Sequence, residues 1–459
     1  METRVFLKKF VNICRLFFLP VLLFLLVLFP RLAFYFNKSY EFDIFEDSWG
    51  YLTAAKNLPQ LDVFRTPGYP LLVRIILERN KLIMGIWDEY FIYEKYLLLK
   101  NIVILQMILG ALAVVIFYFV CLKIFKNKIL SFFSAIFVGY NFLVFSFEKA
   151  MLPESLTLFL FCLFTWGAVR FLVSKKLGEL IFMAIILTLL IFLRPIYMWL
   201  PIVIFLFFLS KKFLGKKEFN FRKDWPLCLI LLVPYFLVFL YSGAIKTQYG
   251  VRLFSSVSEG SLFGKVLQYG IEGGAGSEFN ALKADIKYYR ERGEESNPWR
   301  FVDSVDRYKT DNGRDPDFLY LGKFAREATL KKPVEFVFKS LGQTPFVLLA
   351  YEQRVKIIKS GAWKNFLFFL ENVYKHVQKL QLLFLFSFVY FFILFLVSPK
   401  NLEFQMIFFV NIIAFYQVMM VAFGAYSEYA RLRMPADYLI WLSIICLFWV
   451  NLRHKFVRG

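Results

Sequence analysis

The chain has 459 residues, of which 59% are apolar and 20% aromatic, and a formal net charge of +21. At a mean hydropathy of +0.58, a water-soluble core cannot absorb so much Phe, Leu and Ile. The composition therefore excludes an ordinary soluble globule and indicates a polytopic membrane protein. Nucleic acid is not an expected partner, because Lys and Arg gather in short clusters beside apolar runs, as cytoplasmic loops do.

About ten segments approach the roughly 20 apolar residues that a spanning helix needs. They lie near 11–36, 97–122, 129–147, 153–173, 178–194, 196–210, 225–243, 379–398, 402–424 and 436–452. The first is followed by Asn37, Lys38, Ser39 and Tyr40 without a small-residue cleavage site, and reads as a retained helix rather than a signal peptide. Alternate gaps are basic: Arg4/Lys8/Lys9, Lys123/Lys126/Lys128, Lys175/Lys176, the cluster from Lys211 to Lys223, Lys400, and Arg453/Lys455/Arg458. With ten helices all of these fall on one side, which places both termini in the cytoplasm; the expected location is the inner (plasma) membrane. The expected fold class is α, a polytopic helical membrane protein with a mixed extracytoplasmic insert. Three domains are expected: a transmembrane module over 1–243 with a first external loop at 37–96, a soluble external insert over 244–378, and closing transmembrane helices over 379–459.

The first loop holds the earliest chemistry. Asp47, Tyr51, Ala54/Ala55 and Leu58 recur at three- and four-residue spacing, as on one helix face. Asp47 falls in the first turn, where the helix dipole favours an ionised carboxylate, although an N-cap aspartate has the same spacing. Arg65-Thr-Pro-Gly-Tyr-Pro70 is a Pro/Gly turn leading into a helix from Leu71 to about Glu78. Glu154 follows Pro153 at the start of the fourth apolar segment, with Lys149 one turn before it. Arg194-Pro195 interrupts an apolar run, and an arginine at that depth needs a partner or a water-filled cavity unless it snorkels to the interface. The insert carries a glycine-rich patch, Gly270 to Gly276, and Asp311 to Asp317, whose ligand spacing is wrong for an EF-hand and reads as a surface turn. Ser427-Glu-Tyr-Ala-Arg-Leu-Arg-Met-Pro435 precedes the final helix and brings Arg431 and Arg433 near Glu428.

Only two histidines exist, His376 and His454, so carboxylates must carry acid–base work. The five cysteines lie inside apolar runs with no metal spacing, which gives neither a disulfide framework nor a zinc site. No cofactor is implied, and a divalent metal is left open. Two carboxylates (Asp47 and Glu154) and four arginines (Arg65, Arg194, Arg431 and Arg433), remote in sequence, all sit at one membrane face. Tyr69 and Lys149 accompany the arginines as donor contacts, and Tyr51 supports the Asp47 face. Such a set predicts an anionic ligand at the lipid–water boundary. A polyprenyl phosphate fits, with its phosphate for the arginines and its isoprenoid for an apolar groove.

These motifs, in this order, resemble the GT-C superfamily of integral-membrane glycosyltransferases, in particular the branch with protein O-mannosyltransferases and lipid A aminoarabinose transferases. The resemblance rests on Asp47-x-x-x-Tyr51, the Arg65 to Pro70 turn, Pro153-Glu154, Arg194-Pro195 and Arg431-Leu-Arg-Met-Pro435, with a looser match over Ala325 to Pro333 in the insert. It implies an enzyme that moves a sugar from a polyprenyl-phosphate donor to an extracytoplasmic glycan, lipid or protein acceptor, with inversion. It further implies that Asp47 is the catalytic carboxylate and Glu154 the second acidic residue, often Asp in relatives. The acidic neighbour common in protein mannosyltransferases is absent, since Ser48 follows Asp47. An inverting transfer needs one base for the acceptor hydroxyl, while the phosphate leaving group needs cations rather than an acid. Two other readings share part of the pattern. An O-antigen polymerase or ligase would place its large loop between late helices, and a lipid or solute transporter would show paired repeats and broken mid-membrane helices, neither of which is visible.

Overall fold

The computed structural model describes residues 18–33, 35, 46–79, 89–214, 225–294, 298–302, 305, 317–351 and 362–458. The described residues form helices and no strand. The protein is an integral membrane protein: seven helices are long and apolar enough to cross a bilayer, or eight if the bent pair Lys128–Gly139 and Phe142–Glu148 is one span. Among the described residues, apolar helix overlaps each of the ten expected segments, but only seven or eight of these helices are long enough to span; the described part of the first, Phe18–Ala33, and Leu177–Leu193 are shorter.

Local chemistry sets the breaks. Asn127 caps Lys128–Gly139 by accepting from the Ile129 and Leu130 amides at 3.0 Å. Asn141 caps Phe142–Glu148 by accepting from the Leu143 amide at 2.9 Å, and the two helices meet at 54°. Pro195 forces Arg194 out of helical geometry, to φ −149° and ψ 123°, so Leu177–Leu193 ends there.

Burial separates centre from periphery. Glu154–Ser174, Leu402–Gly424 and Tyr429–Arg453 are 67–72% buried, whereas Trp225–Tyr249 and Asn365–Val397 are 28% buried and present Leu232, Phe236, Phe239 and Phe386 outward. The span Lys100–Phe125 packs on Glu154–Ser174, which packs on Leu177–Leu193. At the core, Phe164, Phe207 and Phe208 gather around Phe409. Buried Arg31 donates from Nε to Glu148 Oε2 at 2.7 Å and ties the first helix to the bent pair.

The insert has its own small core, built on Phe263, Val266, Phe279, Ile286, Leu321 and Phe324. Its helices are Val257–Tyr269, Asn280–Glu291, Pro298–Val302, Asp317–Lys331 and Pro333–Gly342. The glycine-rich patch ends the first of these, with Gly270 at φ +66°. Apolar helix overlaps the expected insert range, 244–378, at both edges. Trp225–Tyr249 runs past 244, and the apolar stretch Asn365–Val397 begins well before 379. In the first loop, residues 36–45 and 80–88 lie outside the described residues, as does the turn at 311–316.

Candidate active site

Segments far apart in sequence converge at one end of the bundle. The helix Glu46–Asn57 carries Asp47 in its first turn and packs against Gly68–Arg79. Between them, Asp62 Oδ1 accepts from the Phe64 and Arg65 amides, both at 2.6 Å, which curls the chain into an Asx turn. The turn is pinned from three sides. Thr66 Oγ1 donates to Leu193 O at 3.1 Å, Ser256 N to Val63 O at 3.0 Å, and Ser255 Oγ to Phe64 O at 2.8 Å. Gly68 permits the first of these contacts, because a Cβ there would lie 2.7 Å from Phe192 O. Arg65 then reaches back over the Tyr51 ring, 4.6 Å from its centroid, and donates from Nη2 to Asp47 Oδ1 at 2.5 Å.

Arg431 is the hub. Its Nη1 donates to Asp47 Oδ2 at 2.5 Å and to Glu428 at 2.9 and 3.1 Å, and its Nε donates to Glu154 Oε1. Arg194 Nη2 donates to the same Glu154 oxygen. Three carboxylates and three guanidiniums thus form one continuous cluster whose formal charges cancel. It has a buried floor and an open rim. The side chains of Glu154, Arg431 and Arg194 are 0%, 5% and 7% exposed, whereas Asp47 and Glu428 are 32% and 36% exposed. Burial by itself would push the Asp47 carboxyl up, but Arg431 and Arg65 overcome that and hold it well below the usual carboxylate range. Arg194 Nε and Nη1, Arg65 Nε and Glu154 Oε2 are buried and have no hydrogen-bond partner among the described residues.

The structure therefore brings together Asp47, Arg65, Glu154, Arg194 and Arg431. Tyr51 stacks between Arg65 and Tyr69, whose ring it meets edge-on at 5.0 Å. Tyr69 is fully buried, and its hydroxyl donates to Gln106 Oε1 at 2.7 Å, so it braces the helices instead of reaching an open ligand surface. Lys149 is buried and caps Phe142–Glu148. Arg433 differs from the expectation. Two residues along a helix from Arg431, it points the other way. It donates to Asp437 Oδ1 at 2.8 Å, Val347 O at 2.5 Å, Leu348 O and the Tyr374 hydroxyl at 3.2 Å. Four of its five N–H groups are thus taken inside the fold, and it fastens Thr344–Leu349 to the bundle.

Several contributors had weak signals in the sequence. Glu428 adopts a left-handed backbone, φ +46°, directly after Ser427 at φ +58°. Non-glycine residues are strained there, and the two bring the Glu428 carboxylate back to Arg431. Gln417 Nε2 donates to Leu432 O at 2.6 Å, and Gln106 Nε2 to Ala150 O at 2.6 Å, each fixing a segment that carries a cluster residue. A lone amide in an apolar helix was the available signal. Lys265, buried in the first insert helix, donates to the Tyr429 hydroxyl at 3.0 Å, and burial pushes its ammonium down to about 7. Gly264 beside it allows Tyr426 to approach, since a Cβ would meet that ring at 2.6 Å.

Among the described residues no group of three or more His, Cys, Asp or Glu is placed to hold a metal ion. The carboxylates of the cluster are instead paired with guanidiniums. Comparison of the chain with protein-family models and with curated proteins finds no match. Among solved structures, the chain is similar to the archaeal oligosaccharyltransferase AglB from Archaeoglobus fulgidus, in complex with an inhibitory peptide and a dolichol-phosphate. The TM-score is 0.45 at 11% identity, over 95% of this chain and 51% of that one. The chain thus spans about half the length of that protein.

Proposed function

We propose that the protein transfers a sugar from a polyprenyl-phosphate donor to an acceptor hydroxyl at the extracytoplasmic face, with inversion and with Asp47 as the base. One observation carries the proposal: an open carboxylate, Asp47, lies against two guanidiniums that are continuous with a third, Arg194, whose buried Nε and Nη1 lack partners. That is the pairing an inverting phosphate displacement requires. The acceptor oxygen bonds to the anomeric carbon as its proton passes to Asp47. The carbon–oxygen bond to phosphate breaks, and its electron pair leaves with the phosphate, where arginines offset the charge.

In the resting cluster Asp47 is a weak base, because two cations hold its proton affinity down. A donor phosphate competes for the same guanidiniums. Each one drawn to phosphate raises the basicity of Asp47, so the base becomes competent as the donor seats. Glu154 positions Arg194 and Arg431. Arg65, Arg194 and Arg431 are the phosphate ligands, and Arg433 is excluded from that set by its own bonds.

Chain connectivity supports the face. Glu154–Ser174 begins at the cluster and ends before Lys175 and Lys176. Leu177–Leu193 returns to Arg194, and the next span leads away to Lys211 and Lys212. The basic gaps therefore lie at the end of the bundle opposite the cluster, as cytoplasmic gaps would. Mass spectrometry of polyprenyl-linked sugars and cell-envelope glycoconjugates, with and without the protein, tests the proposal. Loss of one glycoconjugate with accumulation of its lipid-linked donor is expected. An unchanged profile of both would contradict it.

A further inference from the structure

The helix Pro333–Gly342 wears its apolar face outward. Inward it presents Phe336, which meets Tyr269 at 5.6 Å and Phe423 at 6.1 Å between ring centroids, and buried Ser340. Outward it presents Val334, Val337, Phe338 and Leu341, which are 66%, 40%, 71% and 44% exposed. At about 100° per residue these four share one arc roughly 100° wide. The polar pair, Glu335 and Lys339, is joined at 2.7 Å and sits on the flank. A helix on a water-soluble domain has the reverse arrangement.

Two features say what covers this face. Phe423 lies in the last turn of the span Leu402–Gly424, so the helix sits at the level where that span ends. The apolar surface also continues into lipid-facing helix. Phe346 and Leu349 follow, exposed, and Gln378 Nε2 ties their helix to the weakly buried span Asn365–Val397 through Leu348 O at 3.3 Å and Ala350 O at 2.6 Å. Lys331 and Lys332 flank the start of the stripe, beside exposed Leu330. An apolar face edged by lysines is the composition of a helix lying in the plane of an anionic membrane surface.

We propose that Pro333–Gly342 is an interfacial membrane anchor, with its Val334, Phe338 and Leu341 face set into the boundary between headgroups and acyl chains. The insert is then held at the bilayer by a surface of its own as well as by its two chain connections. Through Tyr269 the anchor meets the helix Val257–Tyr269, which bears on Tyr426 and Tyr429 beside the ionic cluster. The anchor does not depend on the reaction proposed above.

The test is spin-label accessibility on the full chain in phosphatidylcholine–phosphatidylglycerol nanodiscs. Labels go on Phe338→Cys and Leu341→Cys, with the other cysteines replaced. Lys287→Cys, where the native side chain is 78% exposed, serves as the aqueous control. Oxygen collisions should exceed those of a water-soluble nickel chelate at 338 and 341, at a depth of about 5–10 Å, and the order should reverse at 287. Nickel collisions at 338 and 341 matching those at 287 would overturn the anchor. So would exclusion of both reagents, which would mean that a second copy of the chain covers the face.

Discussion

Replacing Arg431 by lysine probes the hub of the cluster while keeping its charge. The guanidinium serves Asp47, Glu428 and Glu154 at once. A lysine ammonium is a single point donor on a flexible stem and cannot hold the three carboxylates in one plane. Glu154 is fully buried, so a weakened partner leaves its charge poorly compensated. Breaking a buried pair outright costs about 3–5 kcal/mol, and retained charge should keep the loss for Arg431→Lys below that range. Binding should suffer separately. Each lost charge-assisted hydrogen bond to phosphate is worth about 1.5–3 kcal/mol, which is a weakening of about 10- to 150-fold in Kd. The assay is titration of polyprenyl phosphate into protein in nanodiscs, with thermal unfolding measured in parallel. Wild-type affinity in a folded Arg431→Lys protein would refute the assignment of Arg431 as a phosphate ligand.

Arg433→Ala should unfold at a lower temperature by the same buried-pair reasoning, through the stranded Asp437, yet bind polyprenyl phosphate like wild type once folded. Gly68→Ala forces a Cβ against the Phe192 carbonyl and should destabilise by about 1–3 kcal/mol, while displacing the Arg65 turn and weakening donor binding; denaturation and titration read the two effects. Lys265 has its folded value pushed down to about 7 against an ordinary 10.5. Between those values the unfolded chain binds more protons, so stability rises with pH through that window. Lys265→Met should flatten the rise, as measured by unfolding temperature from pH 7 to 10.

Much of the site was legible because membrane physics narrows the options. A charged residue at an apolar segment's end needs a partner, as Glu154, Arg194 and Arg431 do, while Asp47 and Arg65 stand out in the first loop by helix-face spacing and a Pro/Gly turn. Arg431 and Arg433 look alike in the sequence, and only helical phase, about 200° apart, assigns one to the cluster and the other to Asp437. Proximity in sequence sets Glu428 beside both Arg431 and Arg433, but its pairing with Arg431 depends on two consecutive left-handed residues, which no local pattern announces. The burial of Tyr69 has no local signature in its Pro/Gly turn, because the turn is folded under by Asp62, Thr66 and Gly68. The insert's later helices are apolar on their outer face, so composition does not separate them from the spans.

The most direct measurement is the turnover of Asp47→Asn alongside its affinity for polyprenyl phosphate. The substitution removes the proton acceptor and leaves Arg65 and Arg431 with one carboxylate fewer to serve. Turnover should fall by about 100-fold or more, while lipid-phosphate affinity stays equal to wild type or tightens, since the cluster gains net positive charge. A folded Asp47→Asn protein that turns over at the wild-type rate, or that loses lipid binding along with activity, would contradict Asp47 as the base.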